Sequence, residues 1–200
     1  MNTALPRSYK TLMALVLVGG PLVWLLLTTD GQRRTDLVLL PLFGRPVVDF
    51  SFTDMNSGLR EEDIRARLPD VELQCFDAPT PFGDRVCNAR IGAFGRLPAE
   101  ALSFFFSAGD LRAAKLAYRQ DVHEELMASV VRQLGEGDTN QPKDQSGESQ
   151  VVTWPVADGI LLVNAGDLAP REEAALLWLS GVAVAERIEA SQAGVRGATD

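Results

Sequence analysis

"CFDAPTPFGDRVC", residues 75–87, holds both cysteines of the chain. With a period of two, Val71, Leu73 and Cys75 fall on one face of the run that leads into it, and Glu72 and Gln74 on the other. On the far side, Cys87, Ala89 and Ile91 share a face that Asn88 and Arg90 oppose. Alternation of this kind marks half-buried strands. The connection "DAPTPFGD" is rich in Pro, Gly and Asp and reads as a turn. The stretch therefore predicts a hairpin with both cysteines on its apolar face, where they can meet the short Cβ separation of a disulfide.

Other uses of two cysteines fit less well. A structural zinc site wants four ligands, and the chain has one His and no further Cys. A thioredoxin-type redox pair is spaced C-x-x-C. Two buried free thiols remain the alternative. A disulfide between Cys75 and Cys87 would add about 2–3 kcal/mol and would persist only outside the cytoplasm.

The amino terminus leads to the same compartment. After Arg7 and Lys10, the 19 residues "TLMALVLVGGPLVWLLLTT" (11–29) carry no charge. As a helix they would span roughly 28 Å, close to the hydrocarbon thickness of a bilayer. A cleaved signal peptide has a similar start. The apolar run is longer than a usual signal core, however, and "LLLTTDGQRR" offers no A-x-A-like site. The expectation is an uncleaved anchor over residues 1–30, with Trp24 near an interface. Arg33 and Arg34 follow closely, so the positive-inside bias favours a cytoplasmic amino terminus only slightly. The domain beyond is expected in the periplasm or outside the cell.

Composition narrows the function. The chain has 200 residues, 46% hydrophobic and 23% charged, which suits one folded domain. Its net charge of −8 repels phosphate backbones, so nucleic acid is not an expected partner.

From the hairpin outward, the other elements follow. Residues 31–55 form a juxtamembrane segment and a leading strand in which Val48, Phe50 and Phe52 alternate with Asp49 and Ser51. In "NSGLREEDIRARLP" (56–69), acidic residues open a short helix, Ile64 and Leu68 share its face, and Pro69 ends it. "LSFFFS" (102–107) sets Leu102, Phe104 and Phe106 against Ser103, Phe105 and Ser107, a strand. Residues 111–119 are read as a further strand, with helix as the rival because of three alanines.

"DVHEELMASVVRQLG" (121–135) is an amphipathic helix: Val122, Leu126, Val130 and Leu134 recur every four residues. Asp121 and Glu124 suggest a capping box. Residues 135–150 are polar and expected to be mobile. "VVTWPVADGILLVN" (151–164) predicts a hairpin about Asp158–Gly159. "AALLWLS" (174–180) reads as a third strand, with a helix opened by Pro170 as its rival. Residues 191–200 are expected to fray.

The sum is an α+β fold: an N-terminal transmembrane helix, then a two-layer domain at 56–190 of antiparallel sheet with helices on one face. The order also admits two helix-plus-meander halves.

Gly58 and Leu59, followed by Ile64 and Leu68, resemble a pattern of small envelope proteins. These are the SmpA/OmlA-like lipoproteins of outer-membrane assembly and the tandem-domain β-lactamase inhibitor proteins. The resemblance spans Asn56 to Tyr118, with a second copy suggested from Asp121 to Ser180. It implies a helix packed on a meander and a protein-binding, non-catalytic role. The chain departs from the lipoproteins in its apolar N-terminal span and in lacking a lipid-acceptor Cys near it. No functional residues carry over.

No catalytic kit is evident. His123 is the single histidine and, beside Glu124 and Glu125, reads as a surface residue. There is no G-x-S-x-G elbow, Walker loop or dinucleotide fingerprint. No cofactor and no metal ligand set is predicted. Phe105, Trp154 and Trp178 are candidates for a partner surface, with core as the default for large aromatics. The functional expectation is a membrane-anchored interaction module that binds another envelope protein, as an assembly factor or inhibitor-like subunit. The alternative is a ligand sensor or small envelope enzyme with its site between sheet and helices. A third reading makes the helix itself the working part, inside a membrane complex.

Overall fold

The computed structural model describes residues 45–139, 150–165 and 173–197, together with Met13, Val16 and Leu17. The chain divides into two units, Met1–Gly44 and Arg45–Asp200. No helix among the described residues is long and apolar enough to cross a membrane. The expected span at 11–29 lies outside the described residues, apart from Met13, Val16 and Leu17, which are helical.

The second unit is α+β. Its strands are β1 (Val47–Val48), β2 (Gln74–Thr80), β3 (Gly83–Arg90), β4 (Ala93–Phe94), β5 (Leu97–Ser107), β6 (Asp110–Tyr118), β7 (Gln150–Val156), β8 (Gly159–Ala165) and β9 (Ala175–Ser180). Its helices are α1 (Glu61–Arg67), α2 (His123–Leu134) and α3 (Gly181–Gly197).

All nine strands join one sheet. β2, β3, β5 and β6 run as an antiparallel meander, and β7, β8 and β9 as a second. The two meet where β6 pairs antiparallel with β9. Each meander is preceded by a helix, α1 before the first and α2 before the second. The sheet is mixed rather than purely antiparallel, because β1 pairs parallel with β4 beside the first residues of β5. The expected leading strand is thus two residues long. Phe50 and Phe52 leave it to pack against Phe94, with ring centroids 5.1 and 5.5 Å away, and a 3-10 turn follows at Phe52–Asp54.

Directly paired residues in a sheet point to the same side. One row crosses all seven long strands: Cys75, Cys87, Phe104, Ala114, Trp178, Leu161, Trp154. The next row on that side is Ala89, Leu102, Leu116, Leu176, Val163 and Val152. Against these rows pack Ile64 of α1 and Leu126 and Val130 of α2, all buried in one core. The alternation read at 87–91 and 102–107 is the alternation observed.

Helices cover both faces, not one as expected. α3 follows β9 and packs over β6, β8 and β9 on the side away from α1 and α2. There Ala183 is buried, Glu186 reaches Arg112 at 3.2 Å, and the Arg187 guanidinium stands 4.7 Å above the Phe82 ring. Strand and helix share the uncharged run at 174–185, the helix beginning at Gly181 directly after β9. α3 continues to Gly197, into the segment expected to fray.

The chain before α1 laces the end of the sheet together. Ser57 N–H donates to Asp158 Oδ2 at 2.5 Å, and Leu111 N–H donates to the Leu59 carbonyl at 2.9 Å. Asp158 sits in the β7–β8 turn, and its carbonyl also accepts from Gly181 N–H at 3.1 Å. Gly159 is required here because a Cβ would run into the Leu179 carbonyl.

Candidate functional site

Cys75 and Cys87 are disulfide-bonded and sit directly opposite each other, with Cα atoms 4.0 Å apart. The hairpin reading places them correctly. Cys87 has no exposed surface, whereas Cys75, on the outermost strand, is half-buried.

Trp154 and Trp178 are core residues, 1% and 0% exposed, and cannot meet a partner in the folded chain. Phe105 does point to the opposite face from Phe104. It is half-buried there because the Phe82 ring packs on it at 5.2 Å, with Arg187 over Phe82 in turn. Only the orientation of Phe105 matches the expectation.

His123 is a correction. It is 9% exposed rather than on the surface, and its Nδ1 lies 2.8 Å from the Tyr118 hydroxyl with the two rings parallel. Burial pushes the Tyr118 hydroxyl well above its ordinary pKa. Asp121, expected to cap the helix, accepts two bonds from Arg119 at 3.0 and 2.6 Å. The N-cap is Val122, which makes no side-chain cap bond. A sequence window that places His123 beside two glutamates cannot show that Tyr118, from the strand before, folds over it.

A linked polar grouping surrounds the disulfide. Glu61 opens α1 above the β2–β3 hairpin. Its Oε1 accepts from Arg65 Nη2 and Nε at 2.9 and 3.0 Å, and its Oε2 from Arg85 Nε at 2.7 Å. Arg85 Nη1 also donates to Asp77 Oδ1 at 2.7 Å. Arg85, and Arg65 after it, hold the Glu61 carboxyl below its ordinary pKa. Glu61 and Asp77 in turn raise Arg85 further above its already high one.

Arg65 Nη2 reaches Cys75 Sγ as well, at 3.1 Å. A carboxylate oxygen of Glu61 and both sulfurs lie within 4.8 Å of one another. They do not make a cation site: the sulfurs are bonded together and both carboxylate oxygens already accept from guanidinium groups.

The second feature is the open part of the face that α3 only partly covers. Its middle row runs Gln74, Asn88, Ser103, Lys115, Leu177, Leu162, Thr153 across seven strands. Gln74 is exposed and the other six are half-buried. Small residues flank it at Ala101, Ala117 and Ala175, which are paired in register. Lys115 is held at this surface by Glu173 at 2.5 Å.

The segment 135–150, expected to be mobile, is described at 135–139 and at Gln150, which begins β7, and the first part is tied down. Trp154 Nε1 donates to the Gly135 carbonyl at 2.9 Å, and Asp138 and Thr153 exchange backbone bonds at 2.8 and 3.0 Å.

No protein-family model, curated protein or solved structure matches this chain.

Proposed function

We propose that the protein is a non-catalytic interaction module of the cell envelope, held at the cytoplasmic membrane by its apolar N-terminal segment. Its folded domain lies on the outer side and binds another envelope protein through the open sheet face. The observation that carries this reading is the half-exposed row from Asn88 to Thr153, which mixes amide, hydroxyl, ammonium and leucine side chains. Seven strands at about 4.8 Å spacing give a width near 30 Å, enough for the roughly 800 Å² per partner that a stable interface buries.

Two further observations favour binding over catalysis. The side chains between the sheet and α1 and α2 include Phe104, Phe106, Trp154 and Trp178, all at most 1% exposed. The Tyr118–His123 pair, the arrangement closest to acid–base chemistry, lies in the same core. The disulfide supports an oxidising compartment. The order of helix then meander, occurring twice, supports an assembly-factor or inhibitor-like role.

Site-specific photo-cross-linking in intact cells tests the proposal. A cross-linking residue at Leu162 or Leu177 is expected to yield one shared adduct in the membrane fraction. The same residue at the exposed Glu124 of α2 is expected to yield none. Adducts from all three positions alike, or from Glu124 alone, would overturn the assignment of the surface.

A further inference from the structure

The Arg65–Cys75 contact goes beyond this reading and does not depend on it. A disulfide sulfur is a weak hydrogen-bond acceptor. The guanidinium at 3.1 Å from Cys75 Sγ therefore gains little in the oxidised protein. It would gain much from a thiolate at the same place. Arg65 is also held there in advance, since Glu61 fixes it with two bonds and is itself fixed by Arg85. The negative charge of Glu61 is offset by Arg85 on its other oxygen, and Asp77 is engaged by Arg85. The group that meets the sulfur is thus a cation.

Access differs between the two sulfurs. Cys87, on β3 between β2 and β5, has no exposed surface, while Cys75 lies on the edge strand and is half-buried. Of the two cysteines, only Cys75 has exposed surface that an incoming thiol can approach.

We propose that Cys75–Cys87 is a site of thiol–disulfide exchange with a dithiol reductant, in which Cys75 forms the mixed disulfide and Arg65 receives the thiolate that Cys75 becomes on release. In the first step a thiolate of the reductant attacks Cys75 Sγ. The Cys75–Cys87 bond breaks, and its electron pair leaves with Cys87 Sγ, which takes up a proton. In the second step the other thiol of the reductant, deprotonated, attacks the reductant's own sulfur in the mixed disulfide. That bond breaks and Cys75 departs as a thiolate facing Arg65. The cysteine pair gains two electrons, and the dithiol loses two and closes to its own disulfide. One of its protons ends on Cys87 and the other in solvent. A stabilised leaving thiolate speeds the second step and favours the reduced state. Reduction frees the edge strand β2 from its covalent tie to β3.

The full chain in detergent is the material for the test. Equilibration with defined ratios of reduced to oxidised dithiothreitol, read by alkylation of free thiols, gives the reduction equilibrium. Arg65→Gln is expected to require about a tenfold more reducing ratio than the wild type, with Arg65→Lys in between because it keeps the charge. A second measurement needs no variant. Glutathione, which has no second thiol, is added to the oxidised chain with an alkylating trap, and peptide mass spectrometry locates both groups. Glutathione on Cys75 with alkylated Cys87 is the expected result. Glutathione on Cys87, no reaction without denaturant, or equal ratios for wild type and Arg65→Gln would each overturn the proposal.

Discussion

Ala114 on β6 lies directly opposite Trp178 on β9, and both are completely buried. This pair stands at the seam where the first meander joins the second. A methyl group facing an indole fits the space between sheet and helices, where two large side chains would not. Ala114→Leu should therefore overpack the seam and cost about 1–3 kcal/mol. Trp178→Ala should cost about 3–5 kcal/mol by leaving a cavity. Urea denaturation of the two variants measures both, and a neutral Ala114→Leu would show that the seam is looser than described.

The disulfide closes a short loop, Cys75 to Cys87, at the sheet edge. Replacing both cysteines by alanine is expected to lower stability by about 2–3 kcal/mol. Without reductant, the wild-type chain should take up no thiol label in its native state. Free labelling of both positions would remove the disulfide and the compartment argument with it.

The Glu61 carboxyl is held below its ordinary value by Arg85 and Arg65. A depressed carboxyl contributes stability that is present above its unfolded pKa and is lost as pH falls through its folded one. Glu61→Gln should thus be less stable than wild type at pH 7. The gap should begin to narrow as the pH falls through about 4, the ordinary carboxylate range, and close only below the lowered folded value. A gap that stays constant down to pH 3 would mean that Glu61 acts through packing, not charge.

Ala108, in the β5–β6 turn, has φ of 52°, and Gly109 beside it has φ of 89°. Two positive φ values are what a type I′ two-residue hairpin loop demands, and alanine tolerates its share poorly. Ala108→Asn should raise stability by about 0.5–1 kcal/mol, read as a shift in the denaturation midpoint. Destabilisation would indicate that the turn relaxes to another geometry.

Gly137 lies against the side chains of Val152 and Trp154, and a Cβ there would collide with both. Gly137→Ala should lower stability by about 1–3 kcal/mol. It should also speed hydrogen exchange at Thr153, whose N–H donates to the Asp138 carbonyl at 3.0 Å. An unaffected Thr153 amide would separate this loop from the sheet.

Local features of the fold were legible in the residues. The period of two placed Cys87, Ala89 and Ile91, and Leu102, Phe104 and Phe106, on the buried side. The period of four placed Val122, Leu126 and Val130. Turn residues within 77–84 and at Asp158–Gly159 marked two hairpins and, through the first, the disulfide, although the first turn itself is only Pro81–Phe82 and the rest of 77–84 is strand. In each case the governing interaction lies within one turn or one hairpin, so neighbouring residues carry the signal.

What the tertiary structure alone decided is everything that joins distant segments. Periodicity says that one side of β9 is apolar, not that Trp178 will face Ala114 some sixty residues earlier. It says that Phe105 points away from the core, not that Phe82 and Arg187 will close over it. His123 and Arg65 make the same point: one is hidden by Tyr118 and the other is aimed at a sulfur, and both outcomes depend on how helices dock on the sheet. Strand order, the face each helix takes and the surroundings of each polar group are set by collective burial of apolar area, a quantity that belongs to the assembled core and to no single stretch of chain.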